Sequence, residues 1–185
     1  MITISPPHAA LNDPRQHKRF RMRYSYVVGA TESVADMAAR LDRAASLTPR
    51  GVLANVVVCA HGSPDSVQLG AGLTRSSVAG FSSIRGKVRK IWLTSCRTAS
   101  TSTPGRSLPA RLASAAGCYV VAATETQLSA QVQGWQAPYG RIGDYEGLVL
   151  TFGPSGQIVR RVRYASAYQD SNGRWHRGDG QPVPL

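Results

Sequence analysis

The sequence has few of the residues that build a disulfide framework, a metal centre or a membrane span. It has three cysteines, Cys59, Cys96 and Cys118, and their number and spacing are not those of a disulfide framework. This favours a reducing compartment, or a thiol that stays free because it is reactive. No CxxC, HExxH or close histidine pair occurs, so the usual zinc-ligand spacings are missing. The sequence has no run of about 18 apolar residues, so no membrane span is predicted. Residues 1–20 lack the apolar stretch of a secretory signal, so we expect a cytoplasmic protein, or one delivered by a specialised secretion system.

Acidic residues are also scarce. Ten Asp and Glu stand against 22 Lys and Arg, a net charge of +12. This balance makes a polyanion a candidate partner. The basic residues, however, are scattered in pairs such as Arg89-Lys90 and Arg160-Arg161, and no nucleic-acid-binding motif accompanies them. Nucleic acid is therefore not the expected partner.

The length and composition predict a globular protein. The 185 residues are 42% hydrophobic, enough for one domain with a full core. Residues 1–20 are proline-containing, polar and basic, and we interpret them as a loose basic arm in which His8 and His17 are solvated. Residues 21–185 are interpreted as a single α/β domain, with His176 in a polar tail.

Strand-like and helix-like patterns alternate along this domain. We predict strands in residues 21–30, 52–60, 90–96 and 118–124, helices in 31–46, 76–84 and 106–117, and a C-terminal β-hairpin around "GPSG". Ser33 and Asp36 form a predicted capping box for the first helix. The alternation predicts a mainly parallel central sheet with helices on both faces, in which ligands bind at the carboxyl ends of the strands.

Two reactive side chains follow apolar strands of this predicted sheet. His61 directly follows the stretch "VVVCA", and Cys96 directly follows "KIWLTS". One crossover separates them, as adjacent parallel strands require, so both should reach the same cleft. A cysteine attacks as the thiolate, and a nearby imidazole can take its proton. Gly62 has no Cβ, so a substrate carbonyl is expected to approach it closely, and its N–H can help to hold an oxyanion beside that of Cys96.

The blocks "VVVCAHGS" and "KIWLTSCRTAS" resemble the two signature motifs of caspase-like cysteine peptidases, clan CD, including bacterial toxin and effector protease domains. The resemblance covers about residues 21–125. It implies a caspase-like three-layer sandwich, with His61 as base, Cys96 as nucleophile, and Gly62 and Cys96 as oxyanion donors. The glutamine and glycine that flank a caspase nucleophile are absent, since Ser95 and Arg97 stand there. Cleavage after aspartate is therefore not implied.

The same resemblance implies a protein or peptide substrate. The pocket for the residue before the cut would lie near Thr124, Glu125 and Thr126, with Asp65 on the His61 loop and Asp144 or Glu146 as further candidates. A carboxylate there would favour a basic side chain. By analogy with toxin autoprocessing domains, a polyanion such as an inositol phosphate is a candidate activator, and no other cofactor is expected.

Two other functions compete with the peptidase hypothesis. "VVVCAHGSPD" also resembles the first motif of small tetrapyrrole metal chelatases, but no second histidine occurs between His61 and His176. The third hypothesis is a non-enzymatic caspase-like scaffold that binds a protein or a polyanion. Cys59 and Cys118 lie in apolar strands and are interpreted as structural.

Overall fold

A computed structural model describes residues 1–16, 18–64, 66–100, 106–127, 137–164, 168–169, 172 and 174–176 of the chain. In chain order its elements are β1 (Ile2–Thr3), β2 (His8–Asn12), β3 (Tyr24–Val27), α1 (Val34–Ser46), β4 (Asn55–Cys59), β5 (His61–Ser63), β6 (Ser66–Gln68), β7 (Leu73–Thr74), a 3₁₀ helix (Ser77–Ile84), β8 (Lys90–Leu93), α2 (Leu108–Ala116), β9 (Tyr119–Ala123), β10 (Arg141–Ile142), β11 (Gly147–Phe152), β12 (Ile158–Tyr164), β13 (Tyr168–Gln169) and β14 (Trp175–His176).

The central sheet has seven strands in the order β12-β11-β9-β8-β4-β2-β3. The five strands from β3 to β9 pair in parallel. β11 and β12 then add to β9 as two antiparallel strands. The α/β class is confirmed, and the sheet is mixed because the C-terminal hairpin around "GPSG" joins it directly.

The N-terminal residues form part of the core of this sheet. β2 pairs in parallel with β3 on one side and with β4 on the other, and all five of its residues are buried. His8 is 2% exposed, and its Nδ1 accepts a hydrogen bond from the Arg23 N–H at 2.9 Å. The predictions of a loose arm and of a solvated His8 are therefore wrong, because parallel pairing on both sides recruits this segment. His17 lies outside the described residues.

All helices that the structure describes pack on one face of the sheet. Val56 and Val58 of β4 face a core that includes α1, α2 and the 3₁₀ helix. Val57 and Cys59 face the other core, which is covered by non-helical residues such as Phe20. For the described helices, the prediction of helices on both faces is wrong.

The strand order explains this one-sided arrangement. A right-handed connection lies on one face of a sheet when the chain moves in one direction and on the other face when it moves back. The steps from β3 to β4, β4 to β8 and β8 to β9 all run in the same direction, and they carry the helices. Only the step from β2 to β3 runs the opposite way, and the described residues of that connection form no helix.

Local sequence signals account for the helices themselves. Ser33 and Asp36 form the predicted capping box at the start of α1, and Gly117 ends α2 in the left-handed conformation. The segment predicted as a helix over residues 76–84 is a 3₁₀ helix, which buries Val78, Phe81 and Ile84. Their spacing of three residues matches the three residues per turn of that helix.

The tail contributes one more short pairing. β13 and β14 pair antiparallel, as the turn residues between them suggest. No helix in the described part of the chain is long and apolar enough to cross a bilayer.

Candidate active site

The two candidate catalytic residues follow neighbouring parallel strands. Val58 of β4 pairs with Leu93 of β8, so both strands end at the same edge of the sheet. His61 begins β5, which forms a small antiparallel sheet with β6 and β7 at that edge. Cys96 lies in the turn that follows β8. The chain thus brings both predicted residues to one edge, by the single crossover that the sequence indicates.

Gly62 joins the two segments by direct contact. A Cβ placed on it would lie 2.6 Å from the Cys96 carbonyl oxygen, 2.6 Å from Ser95 Cβ and 2.8 Å from Thr98 Cγ2. Real side chains do not tolerate such distances, so only glycine fits here. The turn that carries Cys96 therefore fills the space that a Cβ would need, and the approach of a substrate carbonyl to Gly62 stays a prediction.

The turn that carries Cys96 has an unusual backbone. Arg97 has a φ of 54°, and it is the one non-glycine residue with positive φ among the described residues. Such a conformation costs free energy and persists only where surrounding contacts impose it. Here the Arg97 N–H donates to the Glu125 carbonyl at 3.0 Å, and the Ala99 N–H donates to the Ala123 carbonyl at 2.9 Å. The end of β9 therefore holds the turn in shape.

The Cys96 thiol contacts the segment that follows β9. Its Sγ accepts a hydrogen bond from the Gln127 N–H at 3.3 Å and lies 3.7 Å from the Gln127 carbonyl oxygen. Burial raises the pKa of the Cys96 thiol; the Gln127 N–H acts to lower it, and nearby Glu146 raises it. The net direction is upward, so the resting group is a thiol that needs a base.

His61 is exposed and makes no hydrogen bond to Cys96 within the described residues. It interacts electrostatically with Asp13, which follows β2. Burial opposes ionisation of Asp13, but hydrogen bonds from Arg15 lower its pKa, and His61 adds to that effect. The Arg15 guanidinium also donates to the Gln68 carbonyl at 3.1 Å. Since Gln68 pairs with His61, Arg15 ties the His61 hairpin to the end of β2.

The residues predicted to line the substrate pocket have mixed outcomes. Glu125 lies beside the turn that carries Cys96, because its carbonyl accepts the Arg97 N–H. The hydroxyl of Thr124 lies 3.0 Å from the Leu148 carbonyl oxygen and 3.1 Å from Glu125 Oε1. Glu146 is buried, and Asp144 forms an ion pair with the N-terminal ammonium group. Asp65 lies outside the described residues.

Sequence reasoning missed Gln127, Asp13 and Arg15. Gln127 follows a predicted strand by only a few residues, so a search of all polar residues at strand ends would have included it. Asp13 and Arg15 were missed because "HAALN" was not recognised as a strand. With that strand assigned, Asp13 follows a strand end at the same edge as His61.

The environments of the three cysteines predict an order of chemical labelling. We expect iodoacetamide to label Cys96 before Cys59 and Cys118, because the latter two are only 2% exposed and burial raises the pKa of each to about 12. Labelling of Cys96 should also accelerate with rising pH, since its raised pKa keeps it protonated at neutrality. Peptide mapping by mass spectrometry at several pH values measures this order.

Unfolding the protein in guanidinium is the control, because it should make the three rates similar. Early labelling of Cys59 or Cys118 in the native protein would contradict the prediction.

The described part of the chain contains no group of three or more His, Cys, Asp or Glu side chains that could hold a metal ion. Comparison with known proteins finds no relative: no family model matches the sequence, no curated protein matches it, and no solved structure matches it.

Proposed function

We propose that the protein is a cysteine endopeptidase with His61 and Cys96 as its catalytic dyad. The observation that carries the proposal is the contact of Gly62 with the Cys96 carbonyl oxygen, which keeps the residue after His61 against the turn that holds the thiol. The positive φ at Arg97 supports it, because strained backbone is concentrated at functional sites. The resemblance of the two sequence blocks to caspase-like peptidases points to the same chemistry.

The proposed reaction follows from the protonated resting thiol. The substrate carbonyl carbon binds next to Cys96, and the His61 imidazole removes the Sγ proton as the sulfur attacks. Backbone N–H groups, with those of Gly62 and Cys96 as candidates, hold the oxyanion. The imidazolium then protonates the leaving amine, and an acyl-enzyme remains. Water, deprotonated by His61, hydrolyses the thioester and restores the thiol.

This mechanism requires the imidazole to approach Sγ when substrate binds. Catalytic hydrogen bonds are often long or poorly aligned in unliganded proteins and tighten only in the complex. The exposed position of His61 on a short hairpin is compatible with such a movement.

Substrate preference is the second part of the proposal. Glu125 lies one hydrogen bond from the turn that holds Cys96, and its carboxylate is half-buried beside the Thr124 hydroxyl. A carboxylate in that position pairs with Arg or Lys through charge-assisted hydrogen bonds. We therefore propose a preference for a basic residue before the cut.

Digestion of a peptide library by the purified 185-residue chain tests the proposal. We expect defined cuts, identified by mass spectrometry, and a covalent adduct on Cys96 with an acyloxymethyl ketone built on the best cleaved sequence. A library of such ketones serves if cleavage is slow. Absence of both cuts and adduct would overturn the proposal and favour a binding scaffold. Metal insertion into a porphyrin would instead identify a chelatase.

A further inference from the structure

The side chain of Gln127 forms three hydrogen bonds to backbone groups of Glu125 and Glu146. The side-chain Nε2 donates to the Glu125 carbonyl at 3.1 Å and to the Glu146 carbonyl at 3.0 Å, and Oε1 accepts from the Glu146 N–H at 3.0 Å. The side chain thus uses both amide donors and its acceptor. Gln127 is 4% exposed, so these bonds form away from water.

The orientation of this amide is fixed by chemistry. Exchanging its nitrogen and oxygen would place the oxygen against two carbonyl oxygens, which repel it. The amide therefore bridges the end of β9 to the start of β11, and it anchors the backbone between them.

The anchored backbone is the part that touches Cys96. The Gln127 N–H lies 3.3 Å from Sγ, and an N–H donor favours the charged form of an acceptor. Burying a polar side chain costs free energy for every donor or acceptor that is left without a hydrogen bond. The complete set of bonds is what fixes the N–H at this distance.

We propose that Gln127 is a positioning residue that holds its own backbone N–H against Cys96 and thereby stabilises the thiolate. Among the charged groups, Glu146 disfavours the thiolate and Arg97 favours it, while His61 and Glu125 lie on the adjoining segments. The role of this thiolate in peptide cleavage rests on the proposed function, whereas its stabilisation does not.

The test compares alkylation of Cys96 in the wild type and in Gln127→Met across a range of pH. Methionine has a similar length and makes none of the three bonds. We expect iodoacetamide to label Cys96 about tenfold more slowly at neutral pH in the variant, with the midpoint of labelling shifted to higher pH, as expected for losing a hydrogen bond to a charged group. Gln157→Met, an exposed glutamine in the β11–β12 turn, is the matched control and should behave as wild type.

A purely structural role for Gln127 predicts the opposite result. If its side chain only packed the segment, the substitution would loosen the cover over Cys96 and label it faster, with an unchanged midpoint. Either that result or no change would overturn the proposal.

A measurement on the wild type serves if the variant does not fold. The NMR signal of the Gln127 amide proton should shift with pH at the same midpoint as Cys96 alkylation, and this shift should vanish in Cys96→Ala. An amide signal that does not change at the pH midpoint of Cys96 alkylation would overturn the proposal. Peptide cleavage is assayed separately, so failure of the peptidase hypothesis and failure of this one give different results.

Discussion

Cys96→Ala is expected to abolish peptide cleavage and leave the fold intact. Without the sulfur no acyl-enzyme can form, so turnover should fall to the background rate. The stability cost should be small, because Cys96 is half-buried in a turn beyond β8 and its sulfur forms hydrogen bonds to backbone groups, those of Gln127 and of Cys96 itself. Steady-state cleavage of the best library peptide and thermal unfolding by circular dichroism measure the two effects.

His61→Ala and Cys118→Ala complete this experiment. Loss of a general acid–base group lowers turnover by about 10²–10⁴-fold, so His61→Ala should keep the fold and most of the binding but little of the rate. Cys118 is buried in the core under the helices. Its replacement should lower the melting temperature through a small cavity and preserve turnover in the folded protein. Full activity of Cys96→Ala would rule out the proposed nucleophile.

Gly62→Ala is expected to damage both stability and activity. The new methyl group would lie 2.6 Å from the Cys96 carbonyl oxygen and from Ser95 Cβ, so the turn or the His61 hairpin must move. Overpacking of this kind costs about 1–3 kcal/mol of the free energy of unfolding. The displaced turn would separate Cys96 from His61, and cleavage should be largely lost. Chemical denaturation and kcat/KM measure the two losses together.

Gly29→Ala is the matched control for this substitution. At Gly29 the nearest heavy atom to an added Cβ is Glu32 Oε2, 4.0 Å away, so alanine fits without a clash. Normal stability combined with low activity in Gly62→Ala would show that the glycine serves substrate access rather than the packing of the two segments.

The sequence predicted the elements whose signals are local. The Ser33–Asp36 capping box marks the start of α1, and "GPSG" marks the hairpin of β11 and β12. The position of His61 and Cys96 at one sheet edge also followed from local signals, because one crossover between parallel strands leaves little choice.

The elements that the sequence did not predict depend on distant partners. "HAALN" is short, rich in small residues and flanked by proline, and its identity as a strand comes from pairing with β3 and β4. The face on which a helix packs depends on the direction of each connection across the sheet, which an apolar stripe does not encode. The contact of Gln127 with Cys96 joins residues 31 positions apart through two turns, and no periodicity reports it.

The place of β2 between β3 and β4 affects the order in which the chain can fold during synthesis. Pairing of Ala10 with Ser25 closes a short loop, so it can form soon after those residues emerge. Pairing of Ala10 with Val57 must wait until β4 has been made. Until then the nascent sheet has an open apolar edge, and exposed strand edges of this kind favour aggregation and chaperone binding. Slow translation between β3 and β4 would prolong that exposure.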